Sequence, residues 1–307
     1  MDAQQKHRLI EICGEGVRFD CPMKAYTTFR VGGNAEAVCF IRRTEDLLAL
    51  LSFLKDTDTP CLVVGRGSNL LVRDGGIKGV VITLQGALAS LEGYEKEGGK
   101  ILAGGGLTIL ELLAYCKKKG LGGLEFLCGI PGTAGGAVVM NAGAWGETIG
   151  EKVEEVQILN PEGKFFRLDR SVLGFSYRNL LLPMGSIVLR VALGVVPAEP
   201  RVISDKIADY LKKRGAGQPL RYPSAGSVFR NPPEDHAGRL IEMAGLKGAR
   251  IGGAMISEQH ANFIVNRGDA SASDILALME MAQRAVKEQT GVDLEPEIRI
   301  VGQEVQR

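Results

Sequence analysis

The segment SAGSVFRNP, residues 224–232, places a serine hydroxyl where it could take part in proton transfer. Ser227 follows a glycine and precedes an apolar pair, so little bulk shields its side chain. A serine hydroxyl is a weak acid. It donates a proton only to a strongly basic atom, or where neighbouring groups stabilise the alkoxide. A loop serine also commonly bonds its own backbone in a turn. The residues leave both interpretations open.

Two further segments carry charged groups suited to binding a carboxylate. Arg178 lies in FSYRN, and a guanidinium can bond a carboxylate through two donors at once. LEPEIRIVG contains Glu295 and Glu297, and residues two apart in a strand share a face. Paired carboxylates can raise the pKa of one partner enough to keep its proton near neutral pH. A surface arginine and a solvated strand end are the alternatives.

Glycine-rich clusters beside apolar runs indicate backbone that approaches a ligand closely. The 41 glycines are well above average usage. In VVGRGSNLLV, residues 63–72, a glycine turn after a strand presents backbone N–H groups beside Ser68 and Asn69, all donors suited to phosphate oxygens. The pattern is not the dinucleotide-binding G-x-G-x-x-G, which would need glycine at Leu70, and it is not a P-loop. A tight turn between strands is the alternative.

The segment IPGTAGGAVVMNAGAWG, residues 130–146, is free of charge and rich in small residues. Small side chains allow the backbone to lie flat against a large planar ligand. A close-packed crossing of strands is the alternative. Taken together, the two glycine-rich segments predict a large cofactor that carries a diphosphate and an aromatic ring.

The overall composition argues against several classes of protein. Lys plus Arg number 37 and Asp plus Glu number 36, so no net field favours nucleic acid or a membrane surface. No uninterrupted apolar stretch is long enough to span a bilayer. The six cysteines include no C-x-x-C pair and the three histidines lack metal-ligand spacing. We therefore expect a reduced, cytoplasmic protein without a disulfide framework or a metal site, with Cys39 and Cys61 buried.

Alternating strand and helix patterns predict a mixed α and β chain. We expect a helix over residues 46–56, a second helix that ends at Gly120, and a hairpin around the turn NPEG. Ser271 and Asp274 form a capping-box pattern at the start of a late helix. A composition shift at PAEPR, residues 197–201, indicates a domain boundary.

At this point a resemblance becomes specific. VVGRGSNLLVRDGG, followed by GIPGTAGGAVVMNAGAWG, resembles the FAD-binding half of the UDP-N-acetylenolpyruvoylglucosamine reductase family, and YTTFRVGG matches that family's N-terminal signature. The resemblance runs from about residue 22 to residue 307. It implies an α+β protein whose FAD-binding fold is of the vanillyl-alcohol-oxidase type. The predicted parts are two FAD-binding subdomains, residues 1–85 and 86–198, and an α+β substrate-binding domain, residues 199–307.

The resemblance also implies a reaction. In this family NADPH reduces FAD, and hydride then passes from the flavin N5 to the enolpyruvyl group of UDP-N-acetylglucosamine enolpyruvate. The product, UDP-N-acetylmuramate, serves peptidoglycan synthesis. By this resemblance Ser227 is the proton donor, and Arg178 and Glu297 stabilise the enediolate that forms on the substrate. FAD is the cofactor and NADPH the co-substrate, and no nucleic acid, membrane or obligate protein partner is implied.

Further positions match family residues that hold the cofactor and the substrate. Asn231 and Lys247 match substrate-binding positions, the lysine near the nucleotide diphosphate. Trp145 stands where some members have a tyrosine over the substrate. The implied cofactor-binding residues are Gly65, Arg66, Gly67, Ser68, Asn69, Leu70, Gly132, Thr133, Gly135, Gly136, Asn141 and Ala142.

One departure places the chain with a shorter class of this family. PAEPRVISDKIADYL leads straight into a predicted helix, without the tyrosine-bearing insertion of other members. Two other functions stay open: a binding module that senses a nucleotide sugar or flavin without turnover, and an FAD enzyme of the same fold that oxidises an alcohol with oxygen. The presence of Ser227, Arg178 and Glu297 together favours the reductase over the binding module. The C-terminal motifs favour it over the alcohol oxidase.

Overall fold

The computed structural model describes residues 1–95 and 99–305, and the elements below are those of the described residues. The helices are α1 (Ala3–Cys13), α2 (Thr44–Asp56), α3 (Ile109–Lys119), α4 (Ala134–Val139), α5 (Pro200–Gly217), α6 (Ala237–Met243) and α7 (Ala272–Thr290). The first ten strands are β1 (Val17–Pro22), β2 (Asn34–Ile41), β3 (Cys61–Val63), β4 (Leu70–Val72), β5 (Ile77–Leu84), β6 (Leu91–Glu95), β7 (Lys100–Gly104), β8 (Leu121–Gly122), β9 (Gly143–Ala144) and β10 (Glu147–Thr148). The other strands are β11 (Val153–Leu159), β12 (Phe165–Asp169), β13 (Gly174–Ser176), β14 (Asn179–Leu181), β15 (Ile187–Gly194), β16 (Val196–Pro197), β17 (Arg250–Ile251), β18 (Ala254–Ile256), β19 (Ile264–Asn266) and β20 (Arg299–Val301).

The chain divides into two compact units, and neither is a single stretch of sequence. We call them the first unit and the second unit. The first unit consists of Met1–Arg18, Ala37–Gly65 and Gly79–Lys213. The second unit consists of Phe19–Glu36, Arg66–Lys78 and Arg214–Arg307. The division predicted from the sequence, with boundaries at residues 85/86 and 198/199, stays a prediction.

The first unit is built around a five-stranded antiparallel sheet of order β12-β11-β15-β7-β6. Its apolar side chains form one buried cluster with those of α3 and α4. The predicted hairpin around NPEG is confirmed as β11 and β12, where the N–H of Gly163 donates to the carbonyl of Asn160 at 3.0 Å. This sheet and its helices make up the framework that carries the glycine-rich segment 130–146.

Helix α3 shows how local sequence sets an element of this framework. Thr108 caps its N-terminus in a capping box with Glu111, and Gly120 ends it with φ +67°, a left-handed conformation that glycine adopts without strain. Ile109 and Leu112, both buried, lie on the face that packs into the core. Burying a side chain of this size contributes roughly 1.5–3 kcal/mol to the free energy of unfolding. The predicted end at Gly120 is confirmed.

The second unit packs α6 and α7 with the three-stranded sheet β17-β18-β19 and the parallel pair β20 and β4. The predicted capping box of α7 is confirmed, because the Ser271 side chain accepts from the N–H of Asp274 and the Asp274 side chain accepts from that of Ser271. The β4–β20 pair joins residues that lie far apart in the sequence. It places the segment that precedes β20 beside the glycine loop that precedes β4.

Two expectations about the elements are wrong. Cys39 is buried as expected, but Cys61 is exposed, because β3 is the last strand in the sheet order β1-β2-β5-β3. The final strand begins at Arg299, so Glu295 and Glu297 lie ahead of it, on either side of Pro296, which forms an isolated antiparallel bridge with Phe229. Among the described residues, no helix combines the length and apolar character that a membrane span needs.

Candidate functional site

The first glycine loop connects β3 to β4 and is held against the segment YTTFRVGG of the second unit. Gly67 has φ +60°, and a Cβ there would lie 2.2 Å from the carbonyl oxygen of Tyr26. The N–H of Thr28 donates to the Gly67 carbonyl at 3.2 Å. Only glycine meets both the positive φ and the close approach. The loop conformation is therefore specified by this residue.

The polar groups of this loop suit a phosphate-bearing ligand. Arg66 is exposed, Ser68 and Asn69 are half-buried, and Leu70 begins β4 as a buried residue. A guanidinium, a hydroxyl and an amide all donate hydrogen bonds, and the loop contains no carboxylate to repel an anion. This donor set fits the diphosphate of FAD.

Thr28 is a candidate ligand residue that sequence reasoning missed. Its Oγ1 atom is buried and finds no hydrogen-bond partner anywhere in residues 1–95 and 99–305. Leaving a buried hydroxyl unsatisfied costs about 1–3 kcal/mol, so such an atom calls for a ligand group. Its position in the signature YTTFRVGG is the one signal in the sequence. Only the structure shows that the hydroxyl lacks a protein partner.

The second glycine-rich segment forms a helix, which the sequence did not predict. Thr133 is buried and caps the six-residue α4, accepting from the N–H of Gly136 at 3.3 Å. The N–H of Gly135 donates to the carbonyl of Gly105 at 2.9 Å, and a Cβ at Gly135 would lie only 2.9 Å from that oxygen. Here the small residues allow close packing of helix against strand. Contact of the segment with a planar ligand stays a prediction.

The first unit brings Gly65 and this helix together. A Cβ at Gly65 would lie 2.6 Å from Thr133 Oγ1, so the glycine allows the two segments to touch. Gly132 precedes the cap and accepts from the N–H of Ile109 at 3.0 Å. After the helix, the N–H of Ala142 donates to the carbonyl of Ala137 at 2.8 Å. Of the predicted cofactor residues in the first unit, Gly65, Gly132 and Thr133 therefore lie close together.

Asn141 and Arg178 shape the end of the same segment. Asn141 is buried, with φ +40°, and its amide donates to the carbonyl of Ser176 at 2.9 Å while accepting from the N–H of Gly150 at 3.0 Å. Arg178, with φ +55°, donates from Nη1 to the carbonyl of Gly143 at 3.1 Å. The structure therefore places Asn141 and Arg178 around one loop of the first unit.

Trp145 lies at the tip of the short hairpin formed by β9 and β10. The two residues between the paired strands, Trp145 and Gly146, both have positive φ, at +59° and +83°. Positive φ at both central residues is the hallmark of a tight hairpin turn. The Trp145 ring, 42 % exposed, stacks on Tyr210 of α5 with centroids 5.6 Å apart. Its predicted contact with substrate stays a prediction.

In the second unit, Ser227 lies on a segment that pairs with the segment of Glu297. The N–H of Glu297 donates to the carbonyl of Val228 at 2.7 Å, and the N–H of Arg230 donates to that of Glu295 at 2.9 Å. The amide of Asn69, from the glycine loop, donates to the carbonyl of Glu297 at 3.1 Å. Three predicted groups of residues therefore meet in this unit.

The last two predicted substrate residues also lie in the second unit, each with a partner close in sequence. The Asn231 side chain accepts from the N–H of Ala237, the first residue of α6, at 3.1 Å. Lys247 Nζ lies 2.7 Å from Glu242 Oε1. Binding of substrate by either side chain stays a prediction, since these contacts are within the protein.

The burial of His260 predicts that the stability of the protein depends on pH. Burial lowers the pKa of His260 below its ordinary value, and the charge of Lys247 acts in the same direction. The unfolded chain then binds a proton more readily than the folded one, so the free energy of unfolding falls as the pH drops below about 6.5. We expect the thermal midpoint to decrease from pH 8 to pH 5, and His260→Gln to flatten that decrease. An unaltered slope in His260→Gln would show that other groups cause the dependence.

Two family models match the chain. The C-terminal domain of UDP-N-acetylenolpyruvoylglucosamine reductase matches residues 218–301, and an FAD binding domain matches residues 35–169. The first contains Ser227, Asn231, Lys247 and Glu297. The second contains both glycine-rich segments.

Whole-chain similarity agrees with the family models. UDP-N-acetylenolpyruvoylglucosamine reductase of Geobacter metallireducens is 47% identical over 295 residues, covering 96% of each chain. The same enzyme of Moorella thermoacetica is 44% identical over 92% of each chain. The crystal structure of the reductase from Thermus caldophilus superposes with a TM-score of 0.78 at 39% identity, covering 92% of this chain and 97% of that one.

Proposed function

Because the chain belongs to the UDP-N-acetylenolpyruvoylglucosamine reductase family, an FAD-binding oxidoreductase family, we propose that it reduces UDP-N-acetylglucosamine enolpyruvate to UDP-N-acetylmuramate with electrons from NADPH. The observation that best supports this proposal is that the glycine loop and the segments of Ser227 and Glu297 are joined by hydrogen bonds in the second unit. An acid beside a cofactor loop has no use in a module that only binds. The match at residues 218–301 further supports the reductase over an alcohol oxidase.

The residues that hold FAD in this proposal come from both glycine-rich segments. Arg66, Ser68 and Asn69 donate to the diphosphate, and the buried Thr28 hydroxyl supplies a further donor. By the family resemblance, the segment around Thr133 contacts the rest of the cofactor. FAD held by these residues would supply the chemistry that carries hydride from NADPH to the substrate.

Ser227 has one task in the reaction, the donation of a proton to the substrate carbon that has become basic. Its hydroxyl needs access to that carbon, and the side chain is half-buried after Gly226, which leaves one side open. Proton transfer by a positioned side chain contributes about 10²–10⁴-fold in rate. The serine is neutral before the step, so it neither attracts nor repels the substrate carboxylate.

Arg178 and Glu297 bind the substrate carboxylate as negative charge grows on it. The guanidinium stays charged at all relevant pH values and donates two bonds. Protonated Glu297 donates a further hydrogen bond, while its backbone position is fixed by Val228 and Asn69. Preorganised donors of this kind stabilise developing charge more than they stabilise the ground state. The role of Arg178, a residue of the first unit, rests on the family resemblance.

Arg178→Lys keeps the positive charge and removes the ability to bond a carboxylate through two parallel N–H donors. Hydrogen bonds to charged groups are worth about 1.5–3 kcal/mol. We therefore expect flavin reoxidation by the substrate to slow by roughly 10- to 100-fold, since each 1.36 kcal/mol is a factor of ten. Arg43→Lys is the control, because Arg43 also lies in the first unit but donates from Nη2 to Asp46 Oδ1 at 2.6 Å, at the start of α2. Equal slowing in both variants would contradict the role of Arg178.

Anaerobic stopped-flow absorbance tests the proposed function directly. The purified yellow protein is reduced with NADPH and then mixed with UDP-N-acetylglucosamine enolpyruvate. We expect the oxidised flavin bands to disappear and then to return without oxygen. Flavin that is reduced but is never reoxidised by this substrate would overturn the function and leave the fold intact.

A further inference from the structure

A buried asparagine forms hydrogen bonds to the segment that follows Ser227. This asparagine is not among the residues that the family resemblance implies. Asn262 is 3 % exposed. Its side-chain oxygen accepts from the N–H of Phe229 at 2.9 Å, and its amide nitrogen donates to the Phe229 carbonyl at 2.8 Å. Its own backbone carbonyl accepts from the N–H of Val228 at 2.8 Å. Three hydrogen bonds from one residue thus fix the two residues that follow the serine.

The residue before Ser227 is a glycine with positive φ. Gly226 has φ +78°, and no atom lies within 4 Å of the place where a Cβ would be. Glycine holds this conformation without the strain that a side chain would add. The backbone after Ser227 is hydrogen-bonded on one edge to Asn262 and on the other edge to the N–H of Glu297. The position of the hydroxyl is set from the C-terminal side.

Asn262 is itself fixed by a tight local turn. Its N–H donates to Nδ1 of His260 at 3.2 Å, and the His260 ring packs edge-on against Phe263 at 4.9 Å. The N–H of Phe263 donates to the His260 carbonyl at 3.0 Å. A buried amide with both its donor and its acceptor satisfied has one stable orientation, because leaving either unpaired is costly. This turn makes Asn262 a rigid anchor.

We propose that Asn262 is a positioning residue for the reaction: it holds the backbone of Val228 and Phe229 so that the Ser227 hydroxyl faces the substrate carbon. The inference rests on the proposed function of Ser227 as the acid. It concerns only the half-reaction in which substrate reoxidises the flavin, since reduction by NADPH needs no proton from the serine. A misplacement of about 1 Å can cost on the order of 100-fold in rate.

The first test measures both half-reactions of Asn262→Ala holoenzyme by anaerobic stopped flow. Flavin reduction by NADPH should stay within about twofold of wild type, and reoxidation by UDP-N-acetylglucosamine enolpyruvate should slow by roughly 10- to 100-fold. Equal slowing of both half-reactions would show a general loss of structure and overturn the proposal.

A matched control removes another buried amide of the same unit. Asn266 is 4 % exposed, and its amide nitrogen donates to the carbonyl of Phe29 at 3.0 Å. Asn266→Ala should lower the thermal midpoint as Asn262→Ala does. The ratio of its two half-reaction rates should stay within about twofold of wild type, because its side chain makes no bond to the serine segment.

A double-mutant cycle separates this inference from the proposed function. If Asn262 acts through the serine hydroxyl, Asn262→Ala in a Ser227→Ala background should not slow reoxidation further. Full additional slowing there would overturn the role of Asn262 and leave that of Ser227 standing. Normal reoxidation in Ser227→Ala alone would instead overturn the proposed acid.

Asn262→Asp keeps the test available if the alanine variant does not fold. An aspartate still accepts from the Phe229 N–H, but it donates to the Phe229 carbonyl only when protonated. The reoxidation rate of this variant, divided by that of wild type, should therefore rise as the pH is lowered. If the ratio of the two reoxidation rates does not change with pH, the hydrogen bond from residue 262 to the Phe229 carbonyl does not position the serine.

Discussion

Ser227→Ala is expected to slow flavin reoxidation by the substrate by about 10²–10⁴-fold while leaving flavin reduction by NADPH intact. The hydroxyl is the only group assigned to proton donation, and alanine keeps the backbone and nearly the volume of serine. Without it, water must supply the proton from an undefined position. A loss of several orders of magnitude in this step corresponds to roughly 1.4 kcal/mol of barrier for each factor of ten.

Anaerobic single-turnover absorbance measures the two steps separately, and Ser224→Ala is the internal control. Ser224 lies in the same loop and is also half-buried, three positions before the proposed acid. Its removal should change neither half-reaction by more than about twofold, as is usual for substitutions away from the reacting atoms. Near-normal reoxidation in Ser227→Ala would exclude the serine as the acid.

Gly67→Ala is expected to eliminate flavin binding. The added Cβ would meet the carbonyl oxygen of Tyr26 at 2.2 Å and the Cα of Thr27 at 2.9 Å, both of them backbone atoms. Neither can move without displacing the segment that carries the Thr28 hydroxyl. The loop must then leave the conformation that presents its donors. The purified variant should be colourless or carry well below one flavin per chain, measured by absorbance after denaturation.

Gly291→Ala separates this clash from the cost of positive φ. Gly291 ends α7 in the left-handed conformation, with φ +74°, and no atom lies within 4 Å of its Cβ position. A left-handed alanine there costs about 1–2 kcal/mol without any clash. Only Gly67→Ala adds the collision. Equal flavin content in the two variants would indicate that the loop tolerates the change.

The elements with strong local signals were predictable from sequence. Helix α3 ends at Gly120 and α7 begins with the box of Ser271 and Asp274, because capping acts through neighbouring residues. The glycine turn between β3 and β4 was also evident. These features depend on short-range chemistry, which a single sequence displays.

Other features depend on contacts that no local pattern encodes. Helix α4 has six residues, two of them glycines, and its sequence has low helix propensity. It is held by the cap of Thr133 and by packing against β7 and β15. Glu297 lies ahead of the final strand because the segment pairs with Val228 instead. Only the structure shows that the Thr28 hydroxyl lacks a hydrogen-bond partner among the described residues. Only the structure shows that Asn262 bonds to the segment after Ser227.

The division of the chain has a consequence for how the protein matures on the ribosome. The chain passes between the units at five points, at residues 18/19, 36/37, 65/66, 78/79 and 213/214. Strand β4, which follows the glycine loop, finds its partner β20 only after residues 299–301 have been made. Domains fold as units during synthesis at about 5–20 residues per second, so the nascent loop waits on the order of ten seconds or more for that strand. We therefore expect nascent chains that end before residue 299 to lack flavin.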